Sequence, residues 1–366
     1  MAGYVVEKDL GYRRIQRTGR GSYIVSLPKE WVLDSDLKKG SQLAFKIQED
    51  SSLLLVPRNV LEQRTETKSI LNEFTVYITP KEEPQSIERR LKSLYVVSAN
   101  VIRIRFQAGE LTPQQKNAIT NTVRTLLGSE IISEALNEIK IQVLISHPEF
   151  SIENAIRRIL AIATIMDRNA ISTLTNFDET LLNDVIASDS DLDRLNLYVV
   201  RQLKYGIERN MYKEMGFSSP KEFLGYRIVT KNLENVGDNA VGTAKNILAL
   251  KQMIDQELLY LRDPLDEEVH TGVLEFTSFC RRLLEDSLKA LFKRDYQIAD
   301  EIMSRFMSTG LDLEKEAVNL MLSKTMDPNV TSVIRLVLDN ARKMMEYGRD
   351  IAEVALNRTV EEISTS

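Results

Sequence analysis

The sequence predicts a multidomain protein: a small β-rich head over residues 1–60, a small α/β domain over 73–146, and an all-helical body whose two repeats span 151–256 and 257–362. Three observations predict this. Leu43, Phe45 and Ile47 alternate with polar residues and turn back into Leu53-Leu54-Leu55-Val56, the period of a β-hairpin. Phe74 to Ile78 and Val101 to Phe106 also alternate, but a helical stretch lies between them. From Ser151 onward the apolar residues follow a helical period almost without relief.

Composition narrows the function classes. The 366 residues are 43% hydrophobic and 28% charged, an ordinary balance for a water-facing globular chain. No apolar run approaches the ~20 residues that span a bilayer, and the N-terminus lacks a basic segment followed by an apolar core, so a cytoplasmic protein without membrane insertion is expected. The one cysteine, Cys280, excludes an intramolecular disulfide framework and is expected to be a buried structural thiol. His147 and His270 are far apart and carry no motif, so any metal site must be mostly oxygen-ligated, which favours hard cations.

Charge is unevenly placed. The net charge is −5, yet residues 1–60 hold 10 Lys/Arg against 7 Asp/Glu. Between Lys8 and Lys29 six basic residues face one acidic residue, Asp9. A basic head on an acidic body points to two tasks in one chain.

In the head, Tyr12 to Val25 reads as extended segments broken at Gly19-Arg20-Gly21. Ser26 to Leu33 reads as a short helix with Pro28 near its first turn, Lys38-Lys39-Gly40 as a turn, and Pro57 ends the hairpin. So small a unit buries too little surface to stand alone, so pairing with a second copy is expected. The run Arg-Arg-Ile-Gln-Arg-Thr-Gly-Arg-Gly-Ser-Tyr-Ile-Val-Ser-Leu-Pro-Lys-Glu-Trp, followed by Leu-Lys-Lys-Gly-Ser-Gln-Leu, resembles the AbrB/SpoVT swapped-hairpin domains. That resemblance implies a homodimeric barrel that binds DNA through Arg13, Arg14, Arg17 and Arg20, with Lys29 beside them. Clustered arginines neutralise phosphates, and their planar forks can read guanine edges. Trp31 and Val32 stand where bacterial members often continue the basic patch, which implies a smaller footprint.

Residues 61–72 are mostly polar and read as a linker. The middle region then carries a helix from about Gln85 to Ser98, a second opened by Thr112-Pro113 and running to about Leu127, and a hairpin over 130–136 and 138–145. It holds no phosphate-cradling glycine loop and no nucleophile elbow. Bracing a dimer or coupling head to body is its expected use.

In the body, Ile156, Ile159, Leu160, Ala163 and Met166 form an apolar stripe. Ser219-Pro220 with Glu222, Asp263-Pro264 and Asp327-Pro328 mark helix starts, giving roughly three helices per repeat. Each repeat closes on a similar stretch: Lys231, Glu234, Asp238 and Ala240, shifted by 112 positions, land on Lys343, Glu346, Asp350 and Ala352. Two carboxylates four apart share one helix face, a costly arrangement unless a cation or partner offsets it. Leu233-Glu-Asn-Val-Gly-Asp-Asn-Ala240 resembles the signature of the PhoU family of phosphate-uptake regulators. In the second copy Arg349 replaces the glycine and Met345 the leucine.

The PhoU resemblance implies a six-helix bundle of two three-helix repeats, with acidic pairs on facing helices able to hold a metal ion. Asp189 and Asp193 are the expected partners of Glu234 and Asp238, and Asp312 and Glu316 those of Glu346 and Asp350. Candidate ions are Fe, Mn, Mg and Zn. Together the two resemblances point to archaeal phosphate-uptake regulators: a DNA-binding, non-enzymatic regulator of phosphate homeostasis. The alternative is an adaptor that dimerises through the head and docks on a phosphate transporter component, a kinase or another signalling protein. A metal-dependent hydrolase is the weakest reading, because no nucleophile, histidine or phosphate loop accompanies the acids.

Overall fold

The computed structural model describes residues 11–19, 21–47, 51–58, 72–106, 111–145, 150–256 and 265–363. The chain divides into two compact units, residues 1–71 and 72–366, described separately below.

The first unit holds two short hairpins and one helix. Strand β1 (Gln16–Arg17) pairs antiparallel with β2 (Tyr23–Ile24), and the turn is closed by the Thr18 N–H donating to Ser22 O at 2.8 Å. Helix α1 (Lys29–Asp34) starts directly after Pro28, whose fixed φ suits a helix entrance. Strand β3 (Leu43–Ile47) pairs antiparallel with β4 (Leu53–Pro57), Phe45 opposite Leu55. The alternation in β3 predicted a half-buried face. Instead Phe45 is 64% exposed and Ile47 82%. Among the described residues of this unit only Val56 and Pro57 are buried. A two-stranded hairpin has no opposing layer in a single chain, so its apolar face stays uncovered.

The second unit begins with a four-stranded sheet in the order β5-β6-β8-β7, from β5 (Glu73–Ile78), β6 (Val101–Phe106), β7 (Ser129–Ala135) and β8 (Glu138–Val143). β5 and β6 run parallel, joined by the crossover helix α2 (Pro84–Val96); the other pairs are antiparallel. Val76, Ile78, Ile102, Ile104, Ile139 and Ile141 fill the inner face against Ile87 and Leu91 of α2 and Ile119 and Val123 of α3 (Pro113–Thr125). The predicted helix start at Thr112-Pro113 carries a full capping box: the Gln115 N–H donates to Thr112 Oγ1 at 3.2 Å and the Thr112 N–H to Gln115 Oε1 at 3.1 Å. The outer sheet face is polar, with Arg103 and Arg105 paired to Glu138.

The body follows in the same unit. The first repeat is α4 (Ile152–Ser172), α5 (Glu179–Glu208) and α6 (Glu222–Asp255). The second is α7 (Glu267–Lys293), a middle rod made of α8 (Tyr296–Arg305), a π-helical turn (Phe306–Gly310) and α9 (Leu311–Ser323), and then α10 (Pro328–Ile363). One apolar core runs through both repeats and includes Ile156, Ile159, Ala163 and Met166 of the predicted stripe. Two of the predicted helix starts are seen. The Glu222 carboxylate accepts from the Ser218 and Ser219 N–H groups, and Pro328 opens α10 behind Asp327, whose Oδ1 accepts from the Asn329 N–H at 2.7 Å. Asp263-Pro264 lies outside the described residues, as do most of the linker, the Glu49-Asp50 end of the head turn and His147.

Buried charges tie the layers together. Arg281 of α7 reaches Asp167 of α4 at 2.5 Å, joining the first helices of the two repeats. Arg358 of α10 pairs with Glu222 at the start of α6 and donates to Tyr226 Oη at 2.7 Å. The α/β layer docks on α5: Arg201 Nη1 donates to Tyr95 O at 2.7 Å and Ala99 O at 2.8 Å, capping the carbonyl end of α2. Leu197 of α5 packs there against Tyr95, Leu126 and Val143.

Candidate functional site

The first carboxylate group lies between α5 and α6. Asp189 and Asp193 share one face of α5; Glu234 and Asp238 share one face of α6. The helices approach closely because position 237 is glycine. A Cβ there would come within 2.6 Å of the Leu192 side chain, which sits between the two aspartates.

Their proximity is expressed electrostatically. Burial, with Asp189, Glu234 and Asp238 adding repulsion and Lys92 of α2 opposing, pushes the Asp193 carboxyl up to about 6. Burial raises Asp189, helped by Asp238 and Glu234 and opposed by Lys245. Burial, then Glu234, raises Asp238 against Lys231. Among the described residues Glu234 is the one of the four in an ion pair, with Lys231 at 2.7 Å, and the buried Asp189 Oδ1 has no hydrogen-bond partner. An orphaned carboxylate oxygen in an all-oxygen donor set fits a hard cation chemically. Yet among the described residues no three Asp, Glu, His or Cys side chains are gathered into a cage, so the group would have to draw together to close on one.

The second group is organised otherwise. Glu346 and Asp350 of α10 are met by arginines. Arg342 Nη1 binds Glu314 Oε1 at 2.8 Å and Oε2 at 2.9 Å, its Nε reaches Glu346 at 3.2 Å, and Arg349 Nη2 reaches Asp350 at 3.1 Å. Asp312 and Glu316 stay exposed on α9 beside a shallow depression shared with Lys315, Asn319 and Ser323. The acid that α9 brings to α10 is Glu314, in the same Asp-Leu-Glu-Lys-Glu run but on another face. The π turn just before α9 widens the helix and rotates the face it presents.

The two signature stretches also meet each other, a relation that the spacing did not disclose. α6 and α10 run antiparallel: Asn232 Nδ2 donates to Asp350 Oδ2 at 3.5 Å, and Asn340 Nδ2 donates to Thr243 Oγ1 at 3.0 Å. Burial pushes the Tyr347 phenol up, with Asn235 and Asn239 of α6 opposing the shift. Asparagines at one-turn spacing through 232, 235 and 239 were the available signal. Where the second copy has Arg349 in place of the glycine, Gly348 supplies the close approach instead, with Leu283 and the backbone of Leu284 against it.

In the head, Arg13, Arg14 and Arg17 are exposed; Arg17 lies in β1 opposite Tyr23, and Lys29 opens α1 at the surface. Arg13 Nη1 donates to Tyr12 O at 2.9 Å. Arg20 lies outside the described residues. Cys280 is buried in α7 and burial raises its thiol, as expected of a structural cysteine. No helix among the described residues is long and apolar enough to cross a membrane.

Comparison with known proteins adds two family matches. Residues 16–62 match the model described as antidote-toxin recognition MazE, bacterial antitoxin, and residues 156–247 match the PhoU domain. A search of curated proteins finds no match. Among solved structures, PhoU from Pseudomonas aeruginosa is similar over 58% of this chain and 96% of its own, at 12% identity and a TM-score of 0.38. The chain thus carries one stretch similar to the MazE antitoxins and, further along, one similar to the PhoU domain.

Proposed function

We propose that this protein is a DNA-binding regulator of phosphate homeostasis in the cytoplasm, in which the head binds DNA as a homodimer and the helical body senses or docks. The observation that carries the reading is in the head. Three exposed arginines lead into a hairpin unit whose apolar side chains, Ile24, Phe45, Ile47 and Leu53 among them, have no cover in one chain. A second copy would bury that face, and two basic heads held together bind DNA at high mutual effective concentration. The likeness of this span to an antitoxin family and of the body to the PhoU domain supports the division of labour.

In the body, Asp189, Asp193, Glu234 and Asp238 are the residues that would hold a hard cation, which would supply the positive charge their mutual repulsion lacks. Docking of a phosphate transporter component or signalling protein on the acidic body is the second half of the proposal. Control of the head requires two states of the body with different affinities for that input.

The test is equilibrium binding of the full-length protein to DNA from upstream of its own gene and to a shuffled sequence. A specific regulator prefers the former by roughly a thousandfold or more. Equal affinities would contradict the reading and favour the adaptor.

A further inference from the structure

The two carboxylate groups occupy comparable places in their repeats but are neutralised differently. In the first, Lys231 is the cation in ion-pair contact among the described residues, and Asp189 keeps an unpartnered oxygen. In the second, Glu314, Glu346 and Asp350 are met by Arg342 and Arg349. Both arginines are anchored. The Arg342 guanidinium bridges two acids, Nη1 on both oxygens of Glu314 and Nε on Glu346, and the Arg349 guanidinium lies 5.0 Å from the Phe306 ring centroid at the π turn. A guanidinium is always charged and carries several fixed donors, so one can hold two carboxylates at once, which makes it a durable substitute for an ion.

We infer that the second repeat carries its own cations: Arg342 and Arg349 take the electrostatic place that a bound metal ion would fill, so that any divalent ion the protein takes is held by the first repeat alone. The clause on the first repeat rests on the reading proposed above; the clause on the second stands on its own ion pairs. The helix packing explains how the exchange is accommodated. Gly348, one residue before Arg349, supplies the close approach to α7, which leaves position 349 for the arginine and its carboxylate and aromatic partners.

The test uses full-length protein stripped with chelator and titrated with MnCl2, with unbound Mn²⁺ read by electron paramagnetic resonance and melting followed in parallel. Glu346→Gln combined with Asp350→Asn is expected to leave Mn²⁺ affinity within about twofold of the parent, since those acids hold no ion. Arg342→Gln exposes Glu314 and Glu346. It is expected to gain a Mn²⁺ site and to melt lower in chelator, with Mn²⁺ restoring the loss; Arg342→Lys, which keeps a cation, is expected to gain none. A tenfold loss of affinity in the Glu346/Asp350 variant would overturn the inference. So would an Arg342→Gln variant that responds to Mn²⁺ only as the parent does. If the parent binds no Mn²⁺, the reading of the first repeat fails, and the Arg342→Gln arm still decides the second.

Discussion

Leu192 packs onto Gly237 with no room for a side chain between them: a Cβ at 237 would stand 2.6 Å from Leu192 Cδ1, and Leu192 is itself fully buried. This packing sets the spacing of α5 and α6, and with it the crowding of Asp189, Asp193, Glu234 and Asp238. Gly237→Ala should therefore destabilise despite better helix propensity. Overpacking costs roughly 1–3 kcal/mol, offset by about 1 kcal/mol of propensity. Gly348→Ala should cost more, because the Leu284 backbone at 3.3 Å cannot step aside as a leucine tip can. Chemical denaturation of the two variants checks the order.

The raised Asp193 carboxyl gives a pH signature with a definite sign. Its folded-state value of about 6 lies above the ordinary carboxylate range, so between about pH 4 and 6 the folded state holds a proton that the unfolded state has released. Stability from this group is therefore full below about pH 4 and declines as pH rises through 6. Asp193→Asn should stabilise at pH 7.5 by on the order of 1 kcal/mol, after allowance for solvent screening, and far less at pH 4. Melting curves of parent and variant across that range test it. An equal effect at both values would contradict the crowding.

The buried Arg281–Asp167 pair should behave asymmetrically. Removing one partner, as in Asp167→Ala, leaves a buried guanidinium uncompensated and should cost about 3–5 kcal/mol. Replacing both with apolar residues, Asp167→Leu with Arg281→Met, should recover most of that stability. A denaturation cycle over the single and double variants measures it.

Arg201 links the α/β layer to the body by capping α2. Arg201→Ala strands the Tyr95 and Ala99 carbonyls and should cost roughly 2 kcal/mol or more. Hydrogen exchange is the informative probe. Protection should fall in α2 and β6 while α6 and α10 keep theirs, and a uniform decrease would mean that Arg201 serves the whole unit and not this seam.

Much of this architecture could be read locally. Thr112-Pro113 and Asp327-Pro328 mark helix starts because capping depends on a few neighbouring residues, and the period from Ile156 to Met166 gives the buried stripe directly. The spacing of Asp189 to Asp193 and of Glu234 to Asp238 likewise gives the shared faces. What was hidden depends on tertiary register. That Glu314, and not Asp312 or Glu316, meets α10 follows from the rod's π turn and from Arg342, twenty-eight positions away in sequence. The alternation at Phe45 and Ile47 reveals an apolar face, but whether anything covers it depends on a second chain, which one sequence does not display.

The central claim is that the basic head reads DNA, and the most direct measurement is the salt dependence of that binding in the full-length protein and in Arg13→Ala/Arg14→Ala/Arg17→Ala. If these arginines lie on phosphates, the affinity of the parent falls steeply with salt, and the variant's log–log slope is shallower by about 1 for each phosphate that a removed arginine had neutralised. A variant that binds as tightly as the parent, with the same slope, would contradict the claim.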